Sequence, residues 1–166
     1  MTYRTIVVGT DGSPSSLRAV DRAGAVAAQD NAKLIIANAH LGTEERGGWS
    51  RPPSPDRITD RRAEDALGGE GSYKMHGSAH SYEVLREARG RAEAAGARSV
   101  AERSIVGAPV DVLVNLAKEA EADLIVVGDV GLDTVAGRLL GSVPSTIARR
   151  VKIDILIVHT AEDAPT

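Results

Sequence analysis

Apolar residues fall into five short runs, separated by longer stretches in which they recur at helical spacing. Thr5-Ile6-Val7-Val8-Gly9 is apolar at consecutive positions instead of alternate ones, the pattern of a strand covered on both faces. Asp11-Gly12-Ser13-Pro14 then places a capping residue before a proline at a first helical position. From there to about residue 29, Leu17, Val20, Ala23 or Gly24, and Ala27 mark one helical face. A second strand is Leu34-Ile35-Ile36-Ala37-Asn38-Ala39. A helix is predicted over about residues 81–95, stopped by Gly96. Residues 99–106 form a third strand, polar and alternating enough to suit a sheet edge. Gly107-Ala108-Pro109 restarts a helix with Val110, Leu113, Val114 and Ala117 on one face. Asp123-Leu124-Ile125-Val126-Val127-Gly128 is the clearest strand, residues 142–150 are helical, and residues 153–159 form the last strand.

Between the second strand and the second long helix the pattern breaks. Residues 43–72 hold three of the seven prolines, five of the 17 glycines, charges of both signs and few apolar side chains. Such a segment buries too little surface to offset its ordering entropy. It reads as a flexible insertion with a short helix near residues 61–67, and a lid is one use for it. Residues 1–160 therefore read as a single domain carrying this insertion, with 161–166 as a C-terminal tail. Strict β/α alternation implies a parallel α/β sheet with helices on both faces. In such sheets ligands sit beyond the carboxyl ends of the strands, where strand order reverses. The tails of the first and fourth strands are the place to look.

Composition narrows the function. With 20 Lys+Arg against 23 Asp+Glu, the net charge of -3 argues against a nucleic-acid partner, which needs clustered positive charge. The absence of cysteine removes disulfides, thiolate metal sites and a cysteine nucleophile. No apolar run reaches the roughly 18–20 residues that span a bilayer, and the N-terminus lacks the features of a secretory signal. A soluble cytoplasmic protein with no membrane partner is the expectation.

The chemistry is carried by Gly128-Asp129-Val130-Gly131 after the fourth strand and Gly141-Ser142-Val143 at the next helix, a Gly-x2-Gly-x9-Gly-Ser spacing. Gly128 and Gly131 allow the backbone to turn and approach a ligand. Gly141 and Ser142 sit at a helix N-terminus, which favours an anion. Ser142 offers a hydroxyl to a phosphate or caps its own helix. The spacing lacks the Gly-Lys-Ser/Thr ending of a Walker loop, and no Gly-x-Gly-x-x-Gly follows the first strand. Asp11 either contacts a ligand or makes a turn through its side chain. The four histidines show no metal-ligand spacing, and Ser13 lacks a nucleophile-elbow context, so neither a catalytic residue nor a metal ligand is expected. His40 ends the second strand, either near a bound base or as a surface residue.

With these residues in view, the sequence resembles a universal stress protein domain of the ATP-binding type. The likeness rests on the glycine spacing together with Val7-Val8-Gly9-Thr10-Asp11-Gly12-Ser13, Gly107-x-Pro109 and Gly137-Arg138-Leu139-Leu140-Gly141-Ser142-Val143. More narrowly, Ala19-Val20-Asp21-Arg22-Ala23, residues 105–111 and residues 136–144 are similar to actinobacterial, mycobacterial-type members that bind cyclic AMP. The resemblance implies a flavodoxin-like, Rossmann-like five-stranded parallel sheet in the order 3-2-1-4-5. It also implies an adenine nucleotide as ligand, cyclic AMP ahead of ATP, with magnesium an option for ATP. By position, the tail of strand one at Gly9 and Asp11 would meet the nucleotide, Asp11 facing ribose hydroxyls or a phosphate-bound metal. Ala39 would offer backbone groups to the adenine edge, with Gly107 as a nearby wall. Gly128 and Gly131 would line ribose and phosphate, and Gly141, Ser142 and Val143 would hold phosphate oxygens. Arg138 would add positive charge there, or serve as a solvated or dimer-contact residue. Asp129 departs from the small polar or basic residue common at its position, and its carboxylate disfavours a triphosphate more than a cyclic monophosphate. The family also implies a homodimer through the last strand, an apolar edge. A weak ATPase and an interaction module with an empty pocket are the alternatives to a cyclic AMP- or ATP-binding stress-response regulator.

Overall fold

The computed structural model describes residues 2–40, 75–129 and 142–159. Five strands and four helices alternate along these segments: β1 (Thr5–Gly9), α1 (Pro14–Asp30), β2 (Lys33–His40), α2 (Met75–Ala94), β3 (Ser99–Val106), α3 (Pro109–Glu119), β4 (Leu124–Gly128), α4 (Ser142–Arg150) and β5 (Asp154–Val158). The strands form one sheet in the order β3-β2-β1-β4-β5, and every pair is parallel. The fold class and strand order expected from the sequence are those observed. The insertion expected over residues 43–72, its short helix and the tail over 161–166 lie outside the described residues.

Continuous apolar runs occupy the middle of the sheet because both their faces are covered. Ile6, Val8, Leu34, Ile36, Leu124 and Val126 point to one side, where they meet Leu17, Val20, Ala23 and Ala27 of α1 and Leu85, Ala88 and Ala92 of α2. Val7, Ile35, Ala37, Ile125 and Val127 point to the other, against Val112, Leu113, Leu116 and Ala117 of α3 and Val143 and Ile147 of α4. Each fully buried Val, Leu or Ile contributes about 1.5–3 kcal/mol. A chain without phenylalanine fills this core through close approach instead of bulk. Where α1 crosses α2, a Cβ at Gly24 would lie 2.9 Å from Ala92 Cα. Strands β3 and β5 hold the two edges and are only partly buried.

One boundary differs from expectation. Helix α2 starts at Met75, six residues before the predicted start at 81. Only Met75 and Ala79 are apolar among residues 75–80, too few for periodicity to detect.

A crevice where two central strands part

The central strands separate at their carboxyl ends. Pairing between β1 and β4 ends at Val8 opposite Val126. Beyond that point β1 stays with β2, Gly9 opposite Ala37, and Thr10 N donates to Ala37 O at 2.9 Å. Strand β4 stays with β5, Gly128 opposite Val158, and Asp129 N donates to Val158 O at 2.9 Å. A parallel sheet whose neighbours run to opposite sides opens a crevice at this reversal, with Gly9, Thr10 and Asp11 on one lip and Gly128 and Asp129 on the other.

The first lip is rigidly built. Ser13 caps α1, its hydroxyl accepting from Ser16 N at 3.2 Å, and Pro14 opens the helix with φ already suited to it. Asp11 Oδ1 accepts from Ser13 N at 2.9 Å, an Asx turn. Gly12 N donates to Thr10 Oγ1 at 3.1 Å and Asp11 N to Ser16 Oγ at 3.3 Å. The turn needs glycine at 12, where φ is +83° and a Cβ would lie 2.7 Å from Val84 Cγ2. Of the two readings of Asp11, the turn is the one seen here, made by one carboxylate oxygen. The amides of residues 11–13 are engaged within the loop.

Of the other sequence-predicted residues, Ala39 and Gly107 stand at the carboxyl ends of β2 and β3. Ala39 packs toward α3, and Gly107, with φ +146°, donates from its amide to His40 O at 2.9 Å. His40 Nδ1 is buried without a hydrogen-bond partner among the described residues. Gly9 has a packing reason to be glycine, since a Cβ there would lie 3.0 Å from Leu113 Cδ1. Val143, in the first turn of α4, is buried in the core. Ser142 starts that helix, and its hydroxyl lies outside the description. Gly131, Arg138 and Gly141 fall outside the described residues.

Two features were not read from the sequence. Asp129 is 7% exposed, and its Oδ2 lies 3.1 Å from Nδ1 of the largely exposed His159. Asn38 Nδ2 donates to Thr10 O at 2.8 Å, while Asn38 Oδ1 accepts from Ser81 Oγ at 2.7 Å. The signal for Asn38 was an amide inside an apolar run, because a buried polar side chain needs partners.

The model of the Universal stress protein family matches residues 2–159. The chain belongs to the universal stress protein family. Over 158 residues it is 58% identical to the universal stress protein Rv1636 of Mycobacterium tuberculosis, covering 95% of this chain and 97% of that one. It is similar to a crystal structure of a universal stress protein in complex with cAMP, at 52% identity and TM-score 0.70, covering 97% of this chain and 100% of the other. The universal stress protein UspA from Lactobacillus plantarum matches at 20% identity and TM-score 0.70, over 96% of this chain and 99% of that one, a likeness of fold. Within this universal stress protein, the crevice is the place where fold and sequence signals coincide.

Proposed function

We propose that the protein binds an adenine nucleotide reversibly at the β1/β4 crevice, cyclic AMP ahead of ATP, and acts by sequestering or sensing it in a stress response. The observation that carries this reading is the parting of β1 from β4 after Val8 and Val126, beside a Gly-x2-Gly-x9-Gly-Ser sequence. The 52% identical relative crystallised with cAMP supports the choice of ligand. Because the loop at 11–13 uses its own amides, phosphate falls to Gly128, Gly131 and the helix start at Gly141, Ser142 and Val143, with Arg138 adding charge. Asp11 Oδ2 accepts from a ribose hydroxyl, and Ala39 and Gly107 flank the base, where His40 Nδ1 is a further polar group.

Magnesium would arrive on ATP phosphate oxygens, which normally leave it one or two protein carboxylates and several waters. Asp11 is the carboxylate suited to that place. Among the described residues no group of three His, Asp or Glu side chains is arranged to hold a metal ion. The protein's work in this reading is binding without turnover. We place it in the cytoplasm as a homodimer through β5, whose Ile157 is 43% exposed at the sheet edge. Among the described residues no helix is long and apolar enough to cross a membrane.

A thermal-shift ranking of cyclic AMP, ATP, AMP and cyclic GMP, with and without magnesium, tests the reading. A ligand specific for the native state raises the melting temperature, by about 2.7 kcal/mol of stability at one hundred times its Kd. The expected order is cyclic AMP, ATP, then the others. Failure of every adenine nucleotide to raise Tm would sink the reading.

A further inference from the structure

Four of the buried polar residues, Thr10, Ser16, Asn38 and Ser81, belong to one continuous hydrogen-bonded chain, and its proton directions follow from chemistry. Ser81 has one hydroxyl proton and gives it to Asn38 Oδ1. Ser104 Oγ, 2.7 Å from Ser81 Oγ, therefore donates to Ser81. The carboxamide turned the other way would set its oxygen against Thr10 O, so Ser81 fixes its orientation. On the far side, Ser16 Oγ gives its proton to Ser13 O at 3.1 Å. Thr10 Oγ1, 2.8 Å from Ser16 Oγ, therefore donates to Ser16 and accepts from Gly12 N.

Thr10 is thus held at every polar atom: its amide by Ala37 O, its carbonyl by Asn38, its hydroxyl by Ser16 and Gly12. Thr10 is also the residue from which Asp11 and Gly12 depart into the crevice. Aligned donors in a dry setting strengthen one another, and removing one link leaves its neighbour unsatisfied.

We infer that Asn38 is a positioning residue for the nucleotide loop: its carboxamide, oriented by Ser81, fixes Thr10 so that Asp11 is presented to the ligand, and it connects the crevice to α2. This rests on the nucleotide reading above for the identity of the ligand. By linkage the coupling is reciprocal, so a ligand that firms the loop also firms the α2 turn carrying Ser81.

The test combines calorimetric titration with cyclic AMP and amide hydrogen exchange of the free protein. Ser81→Ala removes only the orienting partner, and Asn38→Asp removes the donor to Thr10 O while keeping shape. Ala27→Gly, in the core of α1 and outside the chain of bonds, supplies a control destabilised without touching the loop. The expected result is faster exchange at Gly12 and Ser13 in both loop variants. Cyclic AMP affinity falls about fivefold to tenfold in Ser81→Ala, further in Asn38→Asp, and stays at the wild-type value in Ala27→Gly. Exchange at Gly12 and Ser13 unchanged in Ser81→Ala overturns the inference, as does an affinity loss matched by Ala27→Gly. Wild-type protein that binds no cyclic AMP, with exchange still accelerated in Ser81→Ala, overturns cyclic AMP as the ligand and supports the loop-positioning role. If Asn38→Asp does not fold, Ser81→Ala decides alone.

Discussion

Asp129 and His159 meet at 3.1 Å, Oδ2 to Nδ1, although 30 residues separate them. The pairing brings the ends of β4 and β5 together beside the crevice and keeps a largely buried carboxylate on the β4 lip. In the nucleotide reading, a carboxylate at this lip opposes a triphosphate more than a cyclic phosphate, because Coulomb energy grows with ligand charge and is poorly screened in a partly buried site. Asp129→Asn is therefore expected to raise the affinity for ATP relative to cyclic AMP by about tenfold, about 1.4 kcal/mol. Isothermal titration of both proteins with both nucleotides measures the ratio. An unchanged ratio removes Asp129 as a determinant of preference.

Gly12 stands at φ +83° with Val84 across from it. Gly12→Ala meets both backbone strain and a side-chain clash, and is expected to cost roughly 1–3 kcal/mol. The readout is the midpoint of urea unfolding. Because the same turn carries Asp11, cyclic AMP affinity is expected to drop as well. Wild-type stability in this variant would show that the turn adapts to a Cβ.

At the other face of β1, Gly9 lies under Leu113. Gly9→Ala is expected to destabilise by overpacking, and Leu113→Val to recover part of the loss by vacating the space. The two changes should couple by about 1 kcal/mol in a double-mutant cycle of unfolding free energies. Strict additivity would mean that the packing contact does not explain this glycine.

Strand β5 leaves Ile157 exposed on an edge that no other strand pairs among the described residues, a surface that invites pairing with a second chain. Ile157→Lys is expected to shift the protein to monomer in sedimentation velocity while leaving its unfolding midpoint within about 0.5 kcal/mol of wild type. A dimer that persists at the same concentration would place the interface elsewhere.

The sequence alone determined the order of elements, because burial writes continuous apolar runs such as Ile6-Val7-Val8 and Leu124-Ile125-Val126-Val127, although the equally continuous Ile155-Leu156-Ile157-Val158 lies at an edge. It also determined the start of α1, since Ser13 and Pro14 act on their own neighbours. Tertiary structure decided what depends on residues far apart in the chain. It parted β1 from β4 after Val8 and Val126. It also joined Asn38 to Ser81 across 43 residues and Asp129 to His159. Periodicity records whether a position is covered, a local property of each element. The identity of a hydrogen-bond partner emerges only when the elements pack, because the cost of burying an unpaired polar group selects among arrangements of the whole sheet.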